Sequence, residues 1–189
     1  MTASPSIHKL IRERWSPRAM SGASLAEDEL LALFEAARWA PSSYNAQPWR
    51  FVYGRRGTPH FKPLFDLLVP FNQGWAQKAA VLILILSRKT FSHNNSPSVT
   101  HSFDTGAAWE NLALEGHARG LVIHGMQGFD YDKAVKTFSI PPHYQVEAMV
   151  AVGKSAPITS LEEALQKQEH PKDRLPVQDL IREGIFDFS

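Results

Sequence analysis

One run of eight residues, AAVLILIL from Ala79 to Leu86, restricts the possible folds of this 189-residue chain more than any other feature. Every position is apolar and several side chains are β-branched, so a strand here would bury both of its faces. Such a strand needs a sheet that is covered by other elements on each side. The run is far too short to cross a bilayer, which takes about 20 residues as a helix. We therefore predict a buried central strand.

Helical and strand patterns are interspersed on both sides of this run. A helix is predicted to begin at Ser4 and Pro5, another at a capping box formed by Ser24 and Glu27, and a long one to cover 103–119 and end at Gly120. Further strands are predicted at 49–53, 121–125 and 146–153, and a polar loop at 87–102. No repeat or linker divides the chain, so we expect one domain of the α/β or α+β class.

Composition and missing motifs exclude several classes of protein. The net charge of +1 gives no reason to expect nucleic acid or an anionic membrane as a partner. The chain has no cysteine, which excludes disulfides, thiolate metal sites and a cysteine nucleophile. No metal-binding spacing and no dinucleotide-binding glycine pattern follows a strand, and the first residues contain no apolar stretch of signal-peptide length. We expect a cytoplasmic protein without a metal site.

The stretch APSSYNAQPWRF, residues 40–51, lies between a predicted helix and a predicted strand. A plain turn would use Pro41, Ser42 and Ser43, whose side chains cap helices and set turn geometry. Such a turn leaves Asn45 and Gln47 without a role. Trp49 is likewise more than a turn requires.

Two basic segments stand at opposite ends of the chain. The first is Arg14-Trp15-Ser16-Pro17-Arg18 and the second is Lys172-Asp173-Arg174. Cationic side chains and a serine hydroxyl are suited to bind a phosphate group. Each segment alone could equally be a solvated surface, because most exposed ion pairs and arginines contribute little.

Taken together and in this order, these segments resemble the nitroreductase family of flavin enzymes. The resemblance continues through FNQGWAQKAA at 71–80, MQGFD at 126–130 and KDRLP at 172–176, and so covers nearly the whole chain. It implies an α+β fold with a mixed central sheet flanked by helices, built as an intertwined homodimer. It also implies a single FMN-binding domain over 1–189, whose C-terminal tail, about 154–189, extends over the partner subunit.

The resemblance assigns FMN, bound without a covalent link at the dimer interface, to a defined set of residues. Arg14, Trp15, Ser16, Lys172 and Arg174 would hold the phosphate, and Arg18 would lie near the pyrimidine edge of the ring. Pro41, Ser42, Ser43, Asn45 and Gln47 would reach the flavin of the other subunit, since short polar groups can approach the polar rim of the ring closely. Trp49 would anchor this loop in the core. Asn72 would meet the polar edge of the ring, and Gln127 and Gly128 would offer backbone groups near the flavin N5. No side chain is expected to act as a catalytic acid or base in the hydride step.

One position departs from the family pattern. Many relatives have a lysine three residues after the asparagine that matches Asn72, and this chain has Trp75 there. One of two cations at the flavin edge is therefore replaced, which leaves Arg18 as the remaining one. Trp75 could stack on a substrate or could belong to the core or an interface.

The function that the resemblance implies is hydride transfer from NADH or NADPH through the flavin to a nitroaromatic, quinone or similar small oxidant. Two alternatives stay open at this point. The first is a flavin-binding protein without turnover, which would act as a store or a sensor. The second is a related flavin chemistry, such as reductive dehalogenation or destruction of the flavin.

Overall fold

The apolar run forms the second strand of a four-stranded sheet. The computed structural model describes residues 5–188, and its strands are β1 (Trp49–Arg55), β2 (Val81–Arg88), β3 (Leu121–Met126) and β4 (Tyr144–Lys154). Their order in the sheet is β1-β2-β4-β3, so β2 is hydrogen-bonded on both sides. Its side chains are buried from Val81 to Ser87. The predicted central strand is confirmed.

Helices cover both faces of this sheet. They are α1 (Lys9–Glu13), α2 (Glu27–Arg38), α3 (Phe61–Phe65), α4 (Pro70–Ala76), α5 (His101–Ala118), α6 (Tyr131–Thr137) and α7 (Glu163–Gln166). One core lies between the sheet and α2 with α5, where it buries the β-branched side of β2. A second core holds Leu82, Leu84 and Leu86 of β2 against residues of α3, α4, α6 and α7. The molecule is a three-layer α+β fold, as the resemblance implied.

The sheet is antiparallel at every pairing in the described chain, where we expected a mixed sheet. Helix α5 connects β2 to β3, and these two strands run in the same direction. They are not neighbours, because β4 lies between them and runs antiparallel to both. The helical crossover therefore joins parallel strands without a parallel ladder, as in a split β-α-β unit.

Some helix boundaries agree with the sequence signals, and others do not. Gly120, at φ 71°, ends α5 as predicted, since a glycine adopts this left-handed backbone without strain. Helix α2 begins later than the predicted capping box: Ala26 precedes it, and Glu29 instead of Glu27 accepts a hydrogen bond from the Ala26 amide at 2.8 Å. Leu25 is buried in the core beside α2, which keeps the chain extended up to Ala26. Ser4, the predicted cap of the first helix, lies outside the described residues.

Apolar side chains remain exposed at both ends of the chain. The residues after α7 run along the surface with a single short 3-10 turn, Val177–Asp179. Ile7, just before α1, and Ile11, within it, are also uncovered. Exposed apolar residues of the tail are Leu175, Val177, Leu180, Ile181, Ile185, Phe186 and Phe188. No helix within residues 5–188 is long and apolar enough to cross a membrane.

Candidate functional site

A cationic pocket of about 210 Å³ brings the two basic segments together. The first segment follows α1, and the second follows α7, so residues more than 150 positions apart share one wall. The lining consists of Arg14, Trp15, Ser16, Arg18, His124, Gln168, His170, Lys172 and Arg174. Six of these nine residues belong to the two basic segments and were predicted to contact the phosphate or the pyrimidine edge of FMN.

Arg14 is held in position on this wall. Its Nη1 donates to the Ser16 hydroxyl at 3.4 Å, and its Nε lies 3.6 Å from a carboxylate oxygen of Glu110 on α5. The side chain is only 17% exposed. A guanidinium that is fixed by neighbours loses little further freedom when it binds an oxyanion, so this arrangement suits phosphate binding.

Arg18 is paired with a residue that the sequence reasoning missed. A carboxylate oxygen of Glu169 accepts hydrogen bonds from the backbone amides of Arg18 and Ala19, the latter at 2.9 Å. Its other oxygen lies 3.6 Å from Nη1 of Arg18. Glu169 is 4% exposed, and the buried Nε of Arg18 has no partner within the described residues. Glu169 therefore ties the C-terminal wall of the pocket to its N-terminal wall.

The position of the family lysine is filled by a core residue. Trp75 is 2% exposed, so a role in stacking on substrate is excluded for this conformation. Its ring centre lies 4.6 Å from that of His124, which points from β3 into the cationic pocket. Nδ1 of His124 donates to the carbonyl of Pro17 at 3.0 Å. Burial lowers the pKa of His124, and the nearby Arg18 adds to this effect.

A second cavity, of about 450 Å³, adjoins the first and shares Ser16 with it. Gln127 lies on its wall, and the rest of the lining is mostly apolar or backbone. Next to it, the Asn72 amide donates to the carbonyl of Gly128 at 3.0 Å. A side chain at Gly128 would place its Cβ 2.7 Å from that amide nitrogen, so only glycine allows this close approach.

The loop between α2 and β1 lies apart from both cavities. Pro41, Ser42, Ser43, Asn45 and Gln47 line neither of them. Three residues of the loop, Tyr44, Asn45 and Gln47, have φ between 47° and 53°, which is uncommon for residues with a Cβ. Side-chain and backbone hydrogen bonds hold this geometry, including Gln47 N–H to the Ser42 hydroxyl at 3.0 Å. Trp49 is buried, as predicted for the anchor of the loop.

Asp104 of α5 fixes the loop and was not predicted. Its Oδ2 accepts from the Ser43 amide at 3.0 Å and from the Thr100 hydroxyl at 3.3 Å. The carboxylate is buried, with 4% of the residue exposed. Strained backbone that is held by a buried charge is typical of a functional segment.

The two adjoining cavities suit a ligand with a phosphate at one end and a flat ring at the other. The cationic pocket offers arginine guanidinium groups and a lysine ammonium group as hydrogen-bond donors. The Nε atom of Arg18, which has no partner within the described residues, lies buried beside it. The larger cavity offers an apolar wall. Within residues 5–188, no group of three or more His, Asp or Glu side chains could hold a metal ion.

Comparisons with known proteins agree with this geometry. The sequence model of the Nitroreductase family matches residues 11–57 and 53–154. An uncharacterised 15.4 kDa protein of Mycolicibacterium smegmatis is 29% identical over 144 residues, which are 71% of this chain and 95% of that protein. A Rhodopseudomonas palustris protein, provisionally named NADH dehydrogenase/NAD(P)H nitroreductase, is 27% identical over 67% of this chain and 74% of its own length.

A solved structure, described as an oxidoreductase containing FMN, is similar to the whole chain. It is 40% identical, with a TM-score of 0.94, and the match covers 100% of this chain and 96% of that one.

Proposed function

The chain belongs to the nitroreductase family, and on that premise we propose that it is an FMN-dependent oxidoreductase that passes hydride from NAD(P)H to a nitroaromatic, a quinone or a similar small oxidant. The observation that carries the proposal is the cationic pocket built from both ends of the chain. It adjoins a larger, mostly apolar cavity, as a ligand with a phosphate and a ring requires.

The residues on these walls would divide the work of holding FMN. Arg14, Lys172 and Arg174 would neutralise the phosphate, and the Ser16 hydroxyl would add a hydrogen bond. Arg18 would stabilise negative charge at the pyrimidine edge of the ring. The backbone groups of Gln127 and Gly128 would lie near the flavin N5, and the Asn72 amide, which donates to the Gly128 carbonyl, would hold them in place. When bound, FMN supplies a ring that takes hydride from NAD(P)H and gives it to the oxidant.

We further propose that the protein is a homodimer in which each loop at 41–47 completes the site of the other subunit. Support comes from the position of the loop, since it lines neither cavity of its own chain. The exposed apolar residues of the tail and of α1 would pack against the partner subunit. Such large uncovered apolar surfaces are typical of interfaces.

Titration with FMN tests the cofactor assignment. The purified protein should take up FMN and turn yellow, and Arg14→Ala should weaken binding by about 1.5–3 kcal/mol through loss of a charge-assisted contact. Arg12→Ala is the matched control, because Arg12 lies on the exposed surface of α1. A protein that stays colourless at high FMN, or an Arg14 variant with the affinity of the parent, would contradict the assignment.

Steady-state oxidation of NAD(P)H then separates an enzyme from a flavin store. An enzyme should oxidise NADH or NADPH continuously once a quinone or nitroaromatic is added. A flavin store would be reduced once and stop. Loss of a halide or breakdown of the flavin in the same assay would point to one of the other flavin reactions.

A further inference from the structure

A compact group of polar side chains lies where β2, β4 and α5 meet, and neither the family resemblance nor the proposed function uses it. Its members are Ser87 at the end of β2, His101 and Ser102 at the start of α5, and Glu147 with Gln145 on β4. Ser87 is completely buried, and the side chains of His101 and Glu147 are 16% and 19% exposed. We refer to these five residues as the Glu147 cluster.

The hydrogen bonds that link His101, Ser87 and Glu147 all donate towards the carboxylate of Glu147. The Ser87 hydroxyl donates to Oε1 of Glu147, so it must accept at its other contact, 2.7 Å away, from Nδ1–H of His101. The Ser102 hydroxyl also donates to Oε1, at 2.7 Å, and the Gln145 amide donates to Oε2 at 3.2 Å. The result is a continuous path of donors from the imidazole through Ser87 to the carboxylate.

The charge of this carboxylate is not fixed by a lysine or an arginine. Within residues 5–188, His101 is the one basic group within ion-pair distance, at 3.7 Å. The other titratable neighbour is Tyr131 of α6, whose hydroxyl donates to the backbone carbonyl of Glu147 at 3.4 Å. Burial and the charge of Glu147 raise the pKa of Tyr131, so it stays protonated. Glu147 is therefore not held in an ion pair with a lysine or an arginine of the described residues.

Glu147 reaches the larger cavity because of a β-bulge. Ile85 pairs with Ala148 and Leu86 pairs with Val146, which leaves Glu147 as the extra residue of β4. Bulges of this kind redirect a side chain. Glu147 and Ser102 lie on the cavity wall, and Glu147 is the one ionisable side chain among the residues that line it.

We propose that Glu147 is the proton donor for the oxidant, with Ser87 and His101 as the relay that reprotonates it from solvent. The proposal rests on the proposed function. A quinone that receives a hydride gains two electrons and one proton, which leaves an oxyanion. The Glu147 carboxylate first takes a proton from Ser87, and the carboxylic acid so formed gives this proton to the oxyanion, which leaves a neutral hydroquinone and a carboxylate. Ser87 in turn receives a proton from Nδ1 of His101, which recovers its own from water.

This proposal selects the class of oxidant. A quinone or a nitro group needs protons along with electrons, whereas ferricyanide takes up electrons alone. The test compares 1,4-benzoquinone with ferricyanide on FMN-loaded parent, Glu147→Gln and His101→Gln proteins. Loss of general acid catalysis should lower the quinone rate of Glu147→Gln about 100-fold. The ratio of quinone to ferricyanide turnover should fall by a similar factor, and a solvent deuterium isotope effect on the quinone rate should disappear.

Glu115→Gln is the matched control, because Glu115 lies on the far part of α5 and pairs with Arg119 instead of facing the cavity. Its two rates should stay close to those of the parent. Equal losses with both oxidants in Glu147→Gln would show a merely structural role and overturn the proposal, as would unchanged rates with both.

Binding of 4-nitrophenol provides a measurement without turnover. This phenol is yellow only as its anion, and a carboxylate on the cavity wall favours the protonated form. The parent should bleach the dye on binding near neutral pH, and Glu147→Gln should bleach it much less. Equal bleaching would overturn the role of Glu147. Absence of turnover with either oxidant in the parent would instead reject the proposed function, while the dye still decides the role of Glu147.

Discussion

At the scale of single residues, the site depends on charges that compensate one another. Arg18 is the cation that remains at the predicted flavin edge, and the buried Glu169 faces it at 3.6 Å. A carboxylate so close reduces the field that Arg18 exerts on a bound ring. The reduction potential should therefore depend on the pair and not on Arg18 alone.

Substitutions in this pair should move the potential of bound FMN in opposite directions. Arg18→Ala removes a cation that favours the reduced, anionic ring, so the potential should fall by about 30–65 mV if the lost interaction is about 1.5–3 kcal/mol. Glu169→Gln keeps an oxygen for the amides of Arg18 and Ala19 but removes the opposing charge, so the potential should rise. Redox titration against a reference dye measures both. An unchanged potential in FMN-loaded Arg18→Ala would remove Arg18 from the ring edge.

His124 should make stability depend on pH. Its pKa is lowered in the folded protein, whereas an unfolded histidine titrates near its ordinary value of about 6.5. The unfolded state therefore binds more protons as the pH falls below that value, and the free energy of unfolding should decrease until the folded histidine also becomes protonated. His124→Gln, which keeps an N–H donor for Pro17, should lack this part of the decrease. Urea denaturation of both proteins between pH 7.5 and 5 would check it, and parallel curves would contradict it.

The sequence could not have identified several of these residues. Glu169 stands 151 positions from Arg18, so nothing local marks it as a partner. His124 gave only the signal of a lone histidine in an apolar strand. Glu147 reaches the cavity through a bulge that periodicity does not encode. By contrast, three basic residues and a serine could be predicted because their positions in the family pattern need no knowledge of the fold: Arg14, Lys172, Arg174 and Ser16.

At the scale of elements, the loop between α2 and β1 is held by the start of α5. Three left-handed residues in this loop each cost free energy that the surrounding contacts must offset. Asp104 provides a buried acceptor for the Ser43 amide and the Thr100 hydroxyl. The loop geometry therefore depends on α5 as well as on the hydrogen bonds within the loop.

Asp104→Ala should lower the free energy of unfolding by about 1–3 kcal/mol, because two partly buried donors lose their acceptor. Asp104→Asn keeps one acceptor oxygen of similar position and should lose less. Chemical denaturation of the FMN-free proteins gives both values. An alanine variant as stable as the parent would show that the loop holds its geometry without Asp104.

Element type was predictable from periodicity, and element arrangement was not. An apolar run buried on both faces identified β2, and a glycine after a long helical pattern located the end of α5. The start of α2 was displaced because burial of Leu25 outweighed the Ser24 and Glu27 signal. The antiparallel sheet was missed because the position of β4 between β2 and β3 depends on contacts far apart in sequence.

At the scale of the whole molecule, apolar surface remains that its own chain does not cover. Phe186 is 89% exposed and Phe103, near the start of α5, is 82% exposed. Exposed apolar side chains that form a contiguous patch mark interaction sites. The helix face of small residues on α5, including Gly106 and Ala107, would allow a second helix to approach closely.

The FMN-loaded protein should therefore be a dimer at all concentrations that can be measured. Removal of residues 175–189 should weaken the dimer, since the exposed leucine, isoleucine and phenylalanine side chains of the tail would be lost. Light scattering and sedimentation velocity of the parent and the shortened chain measure this. A parent that carries FMN as a monomer would contradict the shared site.

The place of β4 also affects how the chain folds during synthesis. Strands β2 and β3 each lack a neighbour until residues 144–154 have left the ribosome, because β4 must enter between them. Until then their apolar edges are open to pairing with other chains. β4, the last strand of the described residues, thus closes the middle of the sheet, so nascent chains that end before Tyr144 should depend on chaperones.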